Sequence, residues 1–351
     1  MSTLAGPPVR LADALGSHAK DVARAAWVRL PAESRSPRDL AFAAYRRRVR
    51  RVMRGDTCSF RVVGTRTVAS SSRSTVVEVE LRTRAEVGPG DMLYVWWRND
   101  PARLASLDPG LADAELGYWT TPVPHRPARR SRATAARLAA SVFDLSALRA
   151  EEVGALGAEG LLALPRITPR LYTASEARRG ADGGGVVKVQ VTMREEWPRR
   201  AAAFLHRADS GDEFRAWVMP HPNRVDRGGP GVAVVTGSGA AGVFAALRGG
   251  ARGIDLVWGL GEKLPEAWIL DELRGYELSG ALASLRLVTS PTHVGDALRE
   301  MADLGERSRR GDWLYVSGNE AAGADAHAAL VDLLGDEAVR RAADSLRYIN
   351  S

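Results

Sequence analysis

The rhythm of apolar and polar positions changes along the chain, and each change predicts a different kind of element. Before residue 57 apolar residues recur at helical spacing. They predict helices over roughly Arg10 to Leu30 and Ser36 to Met53, on either side of the proline-bearing LPAESRSP. Alternation then sets in. FRVVGTRTV (Phe60 to Val68) and STVVEVELRTR (Ser74 to Arg84) are β-branched runs of period two, and the serine cluster between them reads as a hairpin turn. GPGD turns into a third strand, Met92 to Trp97. PVPHRPARRSR (Pro122 to Arg132) reads as an exposed linker, and the text from Ala133 to Leu164 as two or three short helices. Strand text resumes at RLYTAS and at VVKVQVTM (Val186 to Met193). One β-rich unit is thus expected to be interrupted by a helical insert.

After HPNRVDRGGPG the pattern changes again. GVAVVTGSGAAGVFAALRGG (Gly231 to Gly250) is an apolar strand, a glycine turn and a helix. IDLVWGLG, PEAWILDELRGY, LASLRLVTS, VGDALREMADLG, DWLYVSGNE and a helical C-terminal stretch continue the alternation. Strands alternating with helices predict a parallel sheet covered on both faces, with ligands beyond the carboxyl ends of its strands. The expected divisions are 1–56, 57–228 with an insert at about 102–164, and 229–351.

Composition narrows the chemistry. A chain of 351 residues can form two domains with separate cores, and 45% hydrophobic with 26% charged residues excludes wholesale disorder. No apolar run approaches the roughly 20 residues of a membrane helix, and MSTLAGPPVR lacks the pattern of a signal peptide, so a soluble, cytoplasmic protein is expected. Cys58 is the only cysteine, which excludes an internal disulfide, a cysteine-based zinc site and an iron–sulfur cluster of the usual kind. Redox chemistry would have to come from an organic cofactor. The net charge of +7 rests on arginine, because lysine occurs only at Lys20, Lys188 and Lys263. The one dense basic cluster, Tyr45 to Arg54, reads either as a solvated helix or as a surface for an acidic protein partner. Without interleaved aromatics it does not point to nucleic acid.

Two stretches carry candidate chemistry. In PRITPRLYTAS an extended backbone sends Arg170 and Tyr172 to one face and Thr173 to the other. A cation beside an aromatic plane suits a ring carrying a phosphate; the alternative is an edge strand with a solvated arginine. In TGSGAAG, amides of Gly237, Ser238 and Gly239 can meet a phosphate at a helix N-terminus, although such turns also arise from packing alone. No acidic residue is clearly placed at the end of the second strand, so the ordinary Rossmann fingerprint is not supported. The six histidines show no metal spacing, and only His293 lies just after a strand end. Glu195 and Glu196 read as solvated, and there is no serine nucleophile elbow. No metal is expected.

Taken in serial order, these pieces resemble the flavin reductases of the ferredoxin–NADP reductase fold, and within them the diflavin branch of cytochrome and sulfite reductases without its flavodoxin domain. Pro89, Gly90, Asp91 and Asn99 match the family's barrel turn and strand, and Ala102 to Leu164 resembles a shortened connecting insert. Pro169, Arg170, Leu171, Tyr172 and Thr173 match the flavin signature P-R-x-Y-S. Gly237 to Gly242, Val257 to Gly261, Ala267 to Leu273, the strand ending at Ser290 and Tyr315 to Asn319 match the nicotinamide half. The implied fold is an antiparallel FAD-binding-type β-barrel with a helical insert, followed by a doubly wound parallel-sheet nucleotide-binding-type domain.

The resemblance implies FAD and either NADPH or NADH as cofactors, with electrons passed to a protein or small-molecule acceptor. It gives Arg170 the flavin pyrophosphate, Tyr172 the isoalloxazine ring, and Thr173 the flavin's reactive edge. Ser317 occupies the family's cysteine position, Ser290 the strand end that faces the nucleotide, and Tyr348 is the candidate for the final aromatic. The motifs are degenerate. G-x-x-S has become RRAA, with Arg199 for the glycine and Ala202 for the serine, so Arg199 and Arg200 read either as replacement pyrophosphate clamps or as surface arginines. G-P-G-T-G has become GSGAA, and S-R-D has become Ser290, Pro291 and Thr292, which loses the arginine that reads a 2′-phosphate. The other reading is a redox-silent descendant whose cleft binds another ligand, performs non-redox chemistry or serves a regulatory partner.

Overall fold

The computed structural model describes residues 57–119, 130–167, 169–180, 183–194, 200–219, 221, 229–344 and 348–350. The two helices expected before residue 57, and the basic stretch Tyr45 to Arg54, lie outside them. Three strands come first: β1 (Cys58–Ser70), β2 (Ser74–Thr83) and β3 (Met92–Trp96). The insert holds helices α1 (Pro101–Leu104) and α2 (Pro109–Ala112), the hairpin of β4 (Glu115–Trp119) and β5 (Arg130–Thr134), and helices α3 (Ala135–Ser141), α4 (Ala150–Gly154) and α5 (Ala158–Ala163). Strands β6 (Arg170–Arg179) and β7 (Gly185–Arg194), helix α6 (Arg200–Arg207) and strand β8 (Glu213–Met219) complete this half.

Six of these strands run antiparallel in the order β1-β2-β7-β6-β3-β8, and β8 pairs back onto β1 to close a barrel. Period-two alternation fills it. Val77, Val79 and Leu81 of β2, Leu93 and Val95 of β3 and Val187, Val189 and Val191 of β7 meet Phe60 and Phe214 in one core. Each such aliphatic side chain contributes roughly 1.5–3 kcal/mol. The intervening positions of β2 and β7 face outward.

The insert has its own small core around Leu138, Phe143, Leu145, Val153 and Leu161. Asn99, buried to 4 % exposure, ties it to the barrel: its amide donates to the carbonyls of Ala139 and Phe143, and its oxygen accepts from the Leu145 amide at 3.0 Å. One expectation needs correction. Residues 130–132, read as linker, belong to β5 and pair with β4 (Gly117 opposite Arg132). The arginines that suggested a solvated linker are the outward row of a period-two strand, Arg130 and Arg132 being exposed and Ser131 half-buried.

The second half is a parallel sheet in the order β12-β10-β9-β13-β14, formed by β9 (Gly231–Thr236), β10 (Ile254–Gly261), β12 (Leu282–Thr289), β13 (Trp313–Ser317) and β14 (Tyr348–Asn350). A two-residue strand, β11 (Leu264–Pro265), leaves this half and pairs with β1. Helices α7 (Ala241–Arg248) and α8 (Ala267–Leu278) cover one face, where Ala233 and Val235 meet Phe244, Trp258, Ile269 and Leu273. Helices α9 (Val294–Arg299), α10 (Leu304–Arg310), α11 (Glu320–Leu334) and α12 (Asp336–Asp344) supply the other, where Val232 and Val234 meet Leu298, Leu304, Ala329, Leu330 and Val339. This is the doubly wound arrangement expected of alternating strands and helices.

Barrel and sheet share apolar surface. Val68, Ala69 and Val76 on the barrel's outside belong to the same core as Phe244 and Trp258. The Trp268 indole donates to the Thr67 carbonyl at 2.7 Å, and the Arg66 guanidinium lies 3.8 Å over that ring.

Candidate functional site

The barrel parts on one side. β6 and β7 are paired from Arg179 opposite Gly185 to Ala174 opposite Val189, and there the ladder ends. Both strands continue. Arg170 to Thr173 stay bonded to β3 alone, and Gln190 to Arg194 to β2 alone. The result is a fork whose first unpaired residues are Thr173 on β6 and Gln190 on β7.

Strand register assigns the faces. Thr173 pairs with Met92 and Tyr172 with Leu93. Tyr172 is therefore on the inward face with Leu93, packed at the barrel mouth beside Trp97, Ile167 and Phe204, while Thr173 lies on the outer face. Arg170 shares the face of Tyr172 and is exposed. Burial pushes the phenols of Tyr94 and Tyr172 above their ordinary range, and the Arg170 cation pulls both part of the way back. An exposed guanidinium in electrostatic reach of two phenols, with a hydroxyl on the opposite face, is what RLYT builds here.

Gln190 was not singled out by the sequence. It is 2 % exposed, on the outward face of β7 between Lys188 and Thr192, and among the described residues neither polar atom of its carboxamide has a hydrogen-bond partner. An unmade buried hydrogen bond costs about 1–3 kcal/mol, so this residue is expensive where it stands. The only trace in the sequence is the polar row Lys188, Gln190, Thr192 within VVKVQVTM.

The glycine turn is docked against the same strand. Residues Gly237–Ala240 form a 3-10 turn leading into α7. The Ser238 amide donates to Thr192 Oγ1 at 3.2 Å, the Thr192 hydroxyl lies 2.9 Å from Ser238 Oγ, and the Trp258 indole donates to the Gly237 carbonyl at 3.2 Å. Gly237 has φ of 52°, a left-handed conformation that suits glycine. A Cβ on Gly239 would lie 2.7 Å from the Ser317 carbonyl oxygen, so that glycine lets the turn pass close to the loop after β13. The packing explanation thus accounts for Gly239, and Ser238 already serves the junction. Ser317, half-buried, is brought beside the turn.

Ser290 is exposed beyond β12, and its amide donates to the Gly261 carbonyl at 2.9 Å, joining the carboxyl ends of β12 and β10. His293 caps the start of α9, its backbone amide bonding Asp296. Arg199 lies outside the described residues, as do the side chains of Arg200 and Tyr348. Ala202 is half-buried against the barrel core. Among the described residues no group of three or more His, Cys, Asp or Glu could hold a metal, and no helix is long and apolar enough to cross a membrane.

Behind the fork, charged groups bridge the two halves. The Arg248 guanidinium grips Glu272 at 2.8 and 3.0 Å, bonds Glu78 at 2.7 Å and reaches Ser175 Oγ at 3.3 Å. Lys188 lies 3.1 Å from Glu176 and 3.6 Å from Glu78. The Tyr276 hydroxyl donates to Glu272 at 2.9 Å. Burial acts to lower the Arg248 pKa, but bonding to Glu272 and the nearby Glu78 outweigh it and the net direction is upward. For Glu272 burial acts upward, and Arg248 turns the net direction downward.

No protein-family model matches the sequence, and no curated protein matches it. Solved structures do resemble it in fold. A ferredoxin-NADP+ reductase from Plasmodium falciparum superposes with a TM-score of 0.50 at 11% identity, over 84% of this chain and 95% of that one. A variant of that enzyme determined with 2′P-AMP gives a TM-score of 0.51 at 10% identity, over 84% and 94%. At such identity the likeness is one of fold: the chain has the ferredoxin–NADP reductase-like architecture, a flavin-binding-type barrel followed by a nucleotide-binding-type sheet.

Proposed function

We propose that the protein is a flavin-dependent oxidoreductase that takes electrons from NAD(P)H and passes them to a separate acceptor. FAD would lie at the fork between β6 and β7. The observation that carries this reading is the fork itself, where Arg170, Tyr172 and Thr173 stand opposite a buried, unpartnered carboxamide. The donor set fits the group. Arg170 offers a cation for a pyrophosphate, Tyr172 an aromatic face at the barrel mouth, and Gln190 a paired donor and acceptor of the kind an imide edge completes. Bound FAD would supply hydride acceptance and one-electron release. The chain's own part is to hold the ring beside the glycine turn, where β9 and β13 end, and to place the Thr173 hydroxyl and Ser317 at that edge.

In this reading 57–228 form the flavin-binding unit, 229–351 the nicotinamide-binding unit and 1–56 an extension, with the insert as the feature shared with the diflavin branch. Absorbance of the purified protein, alone and after incubation with excess FAD, tests it. Flavin bands that bleach on anaerobic mixing with NADH or NADPH are expected; a protein that stays colourless with excess FAD overturns the reading.

The second reading, a redox-silent descendant that binds another ligand or serves a regulatory partner, draws on two observations. Ala202 carries no hydroxyl for a phosphate, and the Ser238 amide is already committed to Thr192. The same absorbance measurement separates the two.

A further inference from the structure

Strand β3 breaks the alternation of its neighbours. The outward positions of β2 and β7 are polar, with Glu78 and Glu80 on one and Lys188, Gln190 and Thr192 on the other, whereas MLYVW is apolar on both faces. Leu93 and Val95 fill the barrel, so Met92, Tyr94 and Trp96 face outward. Register sets Met92 opposite Met219 and Tyr94 opposite Trp217 of β8, with Leu171 of β6 on the other side. Met92, Tyr94, Trp217 and Met219 are each 7 % exposed or less. Trp217 lies 5.8 Å from Tyr94 and 6.0 Å from Trp96 between ring centroids, but rings that merely shield one another keep their outer surfaces wet. A strand apolar on both faces is one covered on both faces. The insert reaches this face at Trp96, whose indole donates to the Ser141 carbonyl at 3.0 Å; further along, β3 and β8 pack mainly on barrel strands.

The chain enters the barrel at the same face. Arg215, in the outward row of β8 with Trp217 and Met219, donates to the Thr57 hydroxyl at 2.6 Å and to the Thr57 carbonyl at 2.5 Å. The helix expected over 36–53 ends four positions before Thr57. Its Phe42, Tyr45, Val49 and Val52 recur at i, i+3, i+7 and i+10, which makes one stripe, while helical periodicity puts Arg47, Arg50, Arg51 and Arg54 on the opposite side. Four residues reach roughly 14 Å, more than the about 10 Å from β8 across β3 to β6. A helix is about 10 Å wide, and ten residues of it rise about 15 Å, close to the length of a five-residue strand such as β3. Residues 220–228, which follow Met219, carry one large aliphatic side chain, Val225, too little for a face of this size.

We propose that the N-terminal helix over 36–53 packs its stripe from Phe42 to Val52 on the outer face of β6, β3 and β8 and keeps its arginines in solvent. The extension is then part of the barrel's packing, and the arginine row a basic outer surface. The inference stands whether or not flavin binds. Limited trypsin digestion of the full chain tests it, because the six arginines from Arg46 to Arg54 are cut at once in an undocked segment and slowly in a docked helix. Wild type is compared with Val49→Asp on the stripe, Ala43→Asp on the arginine side and Met219→Ala on the barrel. Cuts between Arg46 and Arg54 are expected to be roughly tenfold or more faster in Val49→Asp and clearly faster in Met219→Ala, with Ala43→Asp like wild type and the 57–350 fragment resistant throughout. Val49→Asp cannot unfold the barrel by itself, so it keeps the test decisive if Met219→Ala folds poorly. Wild type cut as fast as Val49→Asp, or Val49→Asp no faster than Ala43→Asp, overturns the proposal. So does early cutting in Val49→Asp alone beside a well-folded, wild-type-like Met219→Ala, which would seat the helix elsewhere. Rapid cutting of a wild type that is dimeric by light scattering would instead give the face to a second copy, and also overturns it.

Discussion

Arg170 and Gln190 stand on opposite arms of the fork, and each makes a prediction at the scale of one side chain. Arg170 is exposed, so its replacement removes little packing. Arg170→Ala is expected to leave the melting temperature nearly unchanged and to lower flavin retention about tenfold or more, because a charge-assisted hydrogen bond contributes roughly 1.5–3 kcal/mol. Flavin content per mole of purified protein checks it. Gln190 behaves in the opposite way. With both polar atoms unpartnered and buried, Gln190→Leu should hold or raise the melting temperature of the flavin-free protein while weakening FAD binding. A fall in flavin-free stability would show that the carboxamide is satisfied within the protein. The signature around Arg170 was legible in the sequence because extended alternation fixes which side chains share a face. The part of Gln190 was not, since the end of a ladder depends on two strands parting.

At the scale of elements, Asn99 ties the insert, which has its own small core, to the end of β3. Asn99 makes three buried hydrogen bonds to residues at least 40 positions away along the chain. Asn99→Ala would strand the Leu145 amide and two carbonyls, for a loss on the order of 2–4 kcal/mol from at least two unmade buried bonds. Limited proteolysis should then cut first within 100–165, while the barrel and sheet stay protected. The glycine turn teaches a similar lesson. Its place between strand and helix was readable, whereas its docking on Thr192 was not, because the two are separated by 46 positions. Helix periods and strand alternation are local properties; the partner of a turn is not.

The whole molecule is held together by a shared apolar core and by the charges around Arg248. That side chain is 6 % exposed and pairs with carboxylates of both halves. Arg248→Ala takes the close cation from half-buried Glu272 and leaves buried Glu78 with Lys188 at 3.6 Å alone, so up to about 3–5 kcal/mol of stability should be lost, read as a lower urea midpoint. The pH dependence has a defined direction. Glu272 lies below its ordinary value in the folded state, so its contribution is fully present above roughly pH 4.3 and fades as pH falls through the depressed value. Stability of the wild type should decline on that acid side, and the decline should be shallower in Glu272→Gln.

The sequence by itself determined most strands and helices of the two halves, though not the β4–β5 hairpin or β8, together with the split between an antiparallel and a parallel half and the faces on which Arg170, Tyr172 and Thr173 lie. Each follows from periodicity and backbone stereochemistry over a few neighbouring residues. Only the tertiary structure decided that β6 and β7 part beside Gln190, that Ser238 is occupied by Thr192, and that Arg248 joins two halves. Those contacts join residues 46 to 170 positions apart in the hydrogen-bonded cases, and such pairings depend on chain closure and packing, which no local pattern encodes.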